Sequence, residues 1–447
     1  MTYLAAPVPP LSADQLLLLL LQLGVLLLLA FGLGRLAQRF GMPAVAGELL
    51  TGVLLGPSVL GSAFPSVGGR LFPADAAQVH LIDAVSQFAV VLLVGVAGLH
   101  LDLAIVRRRR GVVVTVTTGG LLLPMALGIA AGYVVPQALY PAETHRTTFA
   151  LFLGVAMAVS AVPVIAKTLT DMRLMHRDVG QLILATATID DAMAWFLLSV
   201  ISSLAVHTFV PGQVVVSILW LVGFVAAAAL IGRPAVRLAM RRANRASDAG
   251  PATVVAVVTI LLAAAVAQAL ALEAIFGALV AGVLIGLPGV ADPARLAPLR
   301  TVVLSVLAPI FLAGAGLRVD LRALADPVVL LWGVVILALA IVGKFTGAYL
   351  GARLGRRPHW EGIAIGAGLN ARGVVEIIIA MIGLRLGVLS TATYTIVVLV
   401  AVLTSVMAPP LLRRAMARLE QNAEESLRES RHLEWAGAVH GPSGKTR

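Results

Sequence analysis

Two adjacent aspartates, Asp190 and Asp191, lie inside the apolar run "LILATATIDDAMAWFLLSVI" at positions 182–201. A charge at the centre of a bilayer costs on the order of 2.5–3.5 kcal/mol, so two neighbouring carboxylates there indicate a functional site. Carboxylates at that depth can bind protons or small cations. Thr188 lies one turn before Asp191 on the same helix face and adds a hydroxyl. The alternative is an aspartate pair that only fixes packing through hydrogen bonds.

Three further ionisable residues interrupt apolar runs in the second half of the chain. Lys344 is near the centre of "LLWGVVILALAIVGKFTGAYLGAR" and needs a carboxylate partner to keep its charge when buried. The two aspartates are the candidate partners, and a lysine that snorkels to the interface is the alternative. Arg372 and Glu376 are four residues apart and can neutralise each other on one helix face. That pair serves either assembly or an ion pathway.

Two apolar runs also carry residues that interrupt a helix at mid-membrane. The run at 147–168 contains Ser160 and Pro163, and the run at 361–384 contains Gly368, Asn370 and Gly373. Proline frees a backbone carbonyl, and the serine and asparagine oxygens are candidate ion ligands; a simple kink is the alternative for the first run. Interrupted helices at corresponding positions in two halves are typical of the binding site of a secondary transporter.

The composition sets the class of protein that holds these residues. Of 447 residues, 60% are hydrophobic and only 12% are charged, and the mean hydropathy is +0.99, whereas soluble domains carry about 25% charge. Long continuous apolar runs predict an all-α polytopic membrane protein and argue against a β-barrel. Thirteen transmembrane helices are predicted, at 14–36, 43–61, 78–100, 111–136, 147–168, 178–206, 213–233, 250–271, 274–291, 299–317, 328–352, 361–384 and 390–412.

The basic residues predict the orientation of these helices. About 22 arginines and lysines fall in the loops on one side and about five on the other, which places the N-terminus outside and the C-terminus in the cytoplasm of a cell membrane. The net charge of +11 therefore reports topology, and no nucleic-acid partner is expected. Residues 1–414 form the predicted transmembrane domain, and residues 415–447 form a short, partly disordered cytoplasmic tail.

Nothing in the chain predicts a cofactor or an enzymatic reaction. Cysteine is absent, which excludes disulfides and thiolate metal sites. No G-x-G-x-x-G follows a strand pattern, so no dinucleotide site is expected. No nucleophile–base set is recognisable.

Five segments together resemble the monovalent cation/proton antiporter superfamily, in its Kef-type and plant cation/proton exchanger branch. The resemblance covers nearly the whole chain, and it departs from the Kef-type pattern because no C-terminal nucleotide-binding domain is found. His100 stands where the family commonly has glutamate, and a solvated histidine at a helix end is the preferred interpretation. The segments are "MPAVAGELLTGVLLGPSVLG" (42–61), "IDDAMAWFLL" (189–198), "AIFGALVAGVLIG" (274–286), "LAPIFLAGAGLRVDL" (307–321) and "GLNARGVVEIIIAMIGL" (368–384).

The resemblance implies an inverted-repeat antiporter fold, usually a homodimer, with two broken helices that cross at mid-membrane. It also implies that Asp191 is the shared ligand of proton and cation, and that Asp190 pairs with Lys344. The implied division has scaffold helices at about 14–100 and 250–317, core helices at about 111–206 and 328–412, and a linker helix at 213–233.

The expected function is exchange of Na⁺ or K⁺ for protons by alternating access. Asp190, Asp191 and Lys344 sum to one negative charge, which one cation or one proton neutralises. One-for-one exchange follows if Lys344 keeps its proton; two protons per cation follow if Lys344 releases it, which the resemblance favours. Two alternatives are a passive K⁺ pathway, for which no TVGYG-like filter is found, and an organic-anion symporter on a related inverted-repeat fold. The choice between Na⁺ and K⁺ stays open.

Overall fold

A computed structural model describes most of the chain. The described residues are 11–73, 75–99, 110–174, 176–206, 211–246, 248–270, 272–421 and 425. The prediction for His100 and most of the prediction for the tail at 415–447 lie outside these residues.

Every regular element among the described residues is a helix, and no strand occurs among them, as predicted. Apolar helices satisfy their backbone hydrogen bonds internally, which a membrane requires of any spanning segment. The helices are α1 (Ala13–Arg39), α2 (Ala44–Leu55), α3 (Leu60–Ala63), α4 (Pro65–Leu71), α5 (Ala76–Leu99), α6 (Arg110–Val134), α7 (Arg146–Ala158), α8 (Val162–Asp171), α9 (Asp178–Val206), α10 (Pro211–Ala227), α11 (Arg233–Ala243), α12 (Gly250–Ala269), α13 (Ala274–Gly286), α14 (Pro293–Val302), α15 (Ala308–Gly316), α16 (Pro327–Leu354), α17 (His359–Leu369), α18 (Val374–Arg385) and α19 (Thr391–Met416).

Within the described residues, ten helical stretches are long and apolar enough to cross a membrane, or eleven if the bent pair α17 and α18 counts as one span. Two predicted spans correspond to shorter apolar helices of 13 residues each. The span at 147–168 begins with α7, and the span at 274–291 contains α13. A 13-residue helix is only about 20 Å long. The count of thirteen spans therefore stays a prediction.

The helices pack in two groups. The scaffold group comprises α1, α2, α5, α12, α13 and α15, whose helices contact mainly one another. The core group comprises α6, α7, α9, α16, α17, α18 and α19, which pack in the same way among themselves. Contacts between the groups are few by comparison, and the predicted division of the chain into a scaffold and a moving core remains a proposal.

Helix α16 carries Lys344 and is held against α6 by glycines four residues apart. A Cβ atom on Gly347 would lie 2.1 Å from the carbonyl oxygen of Gly119 in α6. Gly343 and Gly351 make similarly close approaches to α6, at Pro124 and Thr115. Small residues at this spacing let two membrane helices pack backbone to backbone, and here they fix the depth and rotation of Lys344.

We expect Gly347→Ala to destabilise the protein, because the added methyl group must push α16 away from a backbone atom that cannot yield. Overpacking of this kind costs roughly 1–3 kcal/mol. The melting temperature of the detergent-solubilised protein measures the effect. Gly333→Ala in the same helix is the control, since its Cβ would be in ordinary contact with two side chains, Ile396 at 3.5 Å and Leu324 at 4.0 Å. Equal melting temperatures for the two variants would contradict the expectation.

Candidate cation and proton site

Two interrupted helices cross in the interior of the core group. Helix α7 ends at Ala158 and α8 begins at Val162, while α17 ends at Leu369 and α18 begins at Val374. The axes of α17 and α18 differ by 46°. The two interruptions are joined directly, because the backbone N–H of Ala161 donates to the carbonyl of Ala371 at 3.2 Å. The four helix ends therefore converge on one point.

The residues expected to break these helices have distinct positions. Pro163 is the second residue of α8, where a proline costs no helical hydrogen bond and therefore starts a half-helix instead of bending a continuous one. Gly373 directly precedes α18, in extended backbone. Gly368 lies inside α17, where a Cβ atom would come within 2.6 Å of the Ile183 side chain. Its role is thus the close approach of α9 to α17, and the break itself comes two residues later.

Asp190 and Lys344 form a fully buried ion pair beside the crossing. The Lys344 ammonium lies 2.6 Å from Asp190 Oδ2, and both side chains are 0% exposed. Lys344 also donates to the carbonyl of Ala158, the last residue of α7, at 2.7 Å. The Ser160 hydroxyl lies 2.8 Å from the Leu369 carbonyl oxygen and 3.1 Å from Asp190 Oδ2, two acceptors for its single proton. Asp190 is thus contacted by Lys344 of α16 and by Ser160 in the interruption between α7 and α8.

Asp191 is buried beside the same crossing, and no cationic side chain of the described residues is bonded to it. Its carboxylate interacts with the backbone N–H of Val162, the first residue of α8, and a helix N-terminus favours negative charge. Among the described residues, one oxygen of Asp191 and one of Asp190 lack a hydrogen-bond partner. Buried polar atoms are nearly always satisfied. These oxygens are therefore candidate acceptors for a ligand, either a proton or a cation.

Two neighbouring polar residues add further oxygens. Asn370 is buried in the second interruption, where its Nδ2 donates to the Ile341 carbonyl at 3.2 Å and its Oδ1 lacks a partner in the described part of the chain. The Thr188 hydroxyl donates to the Leu184 carbonyl of its own helix at 2.9 Å. The proton of Thr188 therefore points along the helix, and its oxygen lone pairs stay available.

Arg372 and Glu376 form the second buried ion pair, with 3.1 Å between Nη1 and Oε1. The guanidinium also donates to three carbonyls: those of Ala156 at 3.3 Å, Met157 at 2.6 Å and Ala340 at 3.1 Å. With Lys344 on Ala158, the two cations satisfy three successive carbonyls at the end of α7, which a helix terminus leaves unpaired. This geometry favours the assembly role for Arg372 and Glu376.

The carbonyl contacts of Arg372 and Lys344 were not foreseen from the sequence, because no local pattern indicates which helix end a distant cation will meet. A further contact was also missed. The Ser405 hydroxyl in α19 donates to the Arg372 carbonyl and so anchors the second interruption. Its one available signal was a polar residue inside the apolar run "VAVLTSVM".

We expect Arg372→Lys to lower the thermal stability of the solubilised protein. One ammonium group cannot reach all of the acceptors that the guanidinium now serves, and hydrogen bonds to charged groups contribute about 1.5–3 kcal/mol each. The expected loss is thus at least ~2 kcal/mol, read from thermal melting. Arg353→Lys, at an exposed position of α16, is the matched control. If Arg372→Lys melts at the same temperature as wild type, the assembly role is wrong, and a role in the ion pathway is the remaining alternative.

Comparison with known proteins supplies the family. A family model described as "Sodium/hydrogen exchanger, transmembrane" matches residues 25–418. The chain belongs to the sodium/hydrogen exchanger family. This confirms the resemblance inferred from the glycine-rich, aspartate and NARG segments, and it makes the protein a member of the monovalent cation/proton antiporters.

The sequences of several known antiporters match most of the length of this exchanger. It is 29% identical over 405 residues to the Na(+)/H(+) antiporter NhaS4 of Synechocystis, covering 90% of this chain and 98% of the relative. It is 28% identical to the Na(+)/H(+)-K(+) antiporter GerN of Bacillus cereus, covering 88% and 95% of the two chains. Cation/H(+) antiporter 17 of Arabidopsis thaliana is 29% identical over 402 residues, but the match spans 88% of this chain and only 48% of the plant protein.

A solved structure confirms the fold class. The sodium proton antiporter MjNhaP1 from Methanocaldococcus jannaschii superposes with a TM-score of 0.64 at 14% sequence identity. The match covers 90% of this exchanger and 97% of that chain. At this identity the likeness concerns the fold alone.

Proposed function

We propose that this exchanger moves Na⁺ or K⁺ against protons by alternating access, with Asp191 as the shared ligand of ion and proton. The observation that carries the proposal is that one oxygen of Asp190 and one of Asp191, at the helix crossing, have no hydrogen-bond partner among the described residues. Lys344 neutralises Asp190 and Arg372 neutralises Glu376, so Asp191 is left as the uncompensated charge among the described buried ionisable groups at the crossing. NhaS4 and GerN are named as Na⁺/H⁺ and Na⁺/H⁺-K⁺ antiporters, which supports the same ions here.

The charge balance explains why one site serves both substrates. When Asp191 is ionised, a dehydrated cation is coordinated by its carboxylate and by the second oxygen of Asp190. Nearby oxygens of Asn370, Ser160 or Thr188 complete the coordination. When Asp191 is protonated, the site is neutral without the ion. Either loaded form crosses an apolar environment at lower cost than the empty charged form, which therefore moves rarely. This penalty couples the cation flux to the proton flux.

The position of Lys344 decides the stoichiometry. If Lys344 keeps its proton, one cation exchanges for one proton. If the arriving cation draws Asp190 away from Lys344, the lysine loses its counter-charge and releases a proton, and two protons exchange per cation. We favour the second scheme, which is electrogenic. Equal transport rates at 0 mV and at a large imposed potential would contradict it.

Reconstituted liposomes test the exchange itself. Vesicles with an acidic lumen and a pH-sensitive dye receive Na⁺, K⁺, Rb⁺, Li⁺ or choline in separate runs. We expect dequenching with one or more metal ions and none with choline. Ion flux that needs no pH gradient would support a passive K⁺ pathway instead. No response to any cation would support an organic-anion symporter on the same fold.

The assembly and placement follow the family pattern. We propose that the protein is a homodimer in a cell membrane, with its N-terminus outside and its C-terminus in the cytoplasm, as the arginine distribution indicates. Crosslinking in membranes and protease accessibility of the two termini test these points.

A further inference from the structure

Among the described residues, one ion pair joins the two helix groups, and it lies at one end of the bundle. Arg385 is the last residue of α18, and Glu273 is the residue that precedes α13. Their side chains meet at 3.1 Å between Nη2 and Oε2. Glu273 is 9% exposed and Arg385 is 40% exposed, so water reaches the pair from the arginine side. We call Arg385 and Glu273 the latch pair.

The partners of the latch pair belong to different groups. Helix α18 packs mainly on α19, within the core group, while α13 packs mainly on α5 and α12, within the scaffold group. A second polar contact links the groups at the same end, because the Tyr394 hydroxyl in α19 donates to the Ala315 carbonyl in α15 at 2.7 Å. If the N-terminus is outside, as the arginine distribution predicts, the order of the predicted helices places this end outside as well.

Next to the latch pair the two groups are separated by a cavity. Its volume is about 580 Å³, and Arg385 contributes to its wall. Ser86 and Gln87 of α5 line it from the scaffold side, while Ile378 and Met381 of α18 line it from the core side. The groups are therefore not packed continuously at this end. The latch pair holds them together beside a gap.

We propose that the latch pair closes this end of the exchanger and must separate in each transport cycle. The inference rests on the proposed alternating-access function, since α18 carries one side of the helix crossing and moves with it. A partly exposed ion pair is a weak link because water and salt compete for both charges. Such a link suits a contact that is broken and remade at every turnover.

The absence of cysteine allows a direct test. In the double variant Glu273→Cys/Arg385→Cys the two new thiols are the only ones in the chain. A short, reducible bis-methanethiosulfonate reagent then joins the groups covalently, and cation-driven proton movement is measured before crosslinking, after it, and after reduction. We expect crosslinking to lower the rate at least tenfold and reduction to restore it. Full transport in the crosslinked protein would overturn the proposal.

A matched control separates linkage from blockage of the cavity. Asp83 and Arg318 form an ion pair that borders the same cavity, but Asp83 is in α5 and Arg318 follows α15, so both belong to the scaffold side. Crosslinked Asp83→Cys/Arg318→Cys is expected to transport normally. Equal loss in both crosslinked variants would mean that the reagent only fills the cavity, and the latch would be rejected.

Charge exchange gives a second, independent measurement. Glu273→Arg and Arg385→Glu each place like charges together, and we expect each to change the transport rate severalfold. The double variant restores the attraction with the charges swapped and is expected to recover the wild-type rate. No recovery would count against the latch. Failure of the proposed function would look different, because wild-type protein would then show no cation-driven proton movement at all.

Discussion

Asp191→Asn is expected to reduce cation-driven proton release from liposomes at least 100-fold, to the level of protein-free vesicles. Asparagine occupies the same volume and can still accept the Val162 N–H, but it neither ionises nor binds a proton in the working range. Lys344 already neutralises Asp190, so the variant has lost the net negative charge that binds the cation. Without a bound cation neither one-for-one nor two-for-one exchange can proceed. The dye assay with Na⁺ and K⁺ measures the loss.

The fold of Asp191→Asn should be intact, which separates this result from simple unfolding. The substitution removes a buried charge to which no cation of the described residues is bonded, so its melting temperature should equal or exceed that of wild type. A variant that still responds to cations would show that exchange occurs elsewhere. A variant that melts far below wild type would show that Asp191 has a structural role.

Lys344→Met is expected to cause the largest loss of stability among the single substitutions considered. Asp190 is fully buried, and its Oδ2 lies 2.6 Å from the lysine. Without Lys344 no cation of the described residues is bonded to Asp190, and the Ala158 carbonyl loses this donor as well. Removing one member of a buried pair costs about 3–5 kcal/mol. Thermal melting in detergent, with and without added Na⁺ or K⁺, measures the change.

The double variant Asp190→Asn/Lys344→Met is the control for that prediction. It removes both charges, and the asparagine can still accept the Ser160 hydroxyl proton, so most of the lost stability should return. If the double variant melts as low as Lys344→Met, the loss comes from the lysine's contact with Ala158 and its packing. If Lys344→Met melts like wild type, Asp190 is not ionised in the folded protein.

Several features of the site could be predicted from residue type and hydropathy. Carboxylates and a lysine inside apolar runs are costly wherever they lie, so their presence predicted a buried polar site without any knowledge of contacts. Serine, proline, asparagine and glycine within two such runs predicted that both helices are interrupted. The i, i+4 spacing of Arg372 and Glu376 predicted their pairing, since neighbours on a helix face are set by local geometry.

Other features depended on contacts between distant parts of the chain. Asp190 and Asp191 are equivalent in hydropathy, and only the position of α16, set by glycines packed on α6, places Lys344 on Asp190 and leaves an oxygen of Asp191 free. The three carbonyls of α7 that receive Lys344 and Arg372 belong to a helix about 200 residues away in the sequence. No local pattern encodes such a partner.

The sequence by itself therefore determined the class of this protein, its helical architecture and the residue types of its site, because burial in a membrane imposes the same cost on a charge in any fold. Tertiary contacts decided which aspartate Lys344 meets, which oxygens among the described site residues lack a partner, and which ion pair spans the two helix groups. These depend on the rotation and depth of packed helices, and a turn of one residue, about 100°, would exchange the roles of the two aspartates.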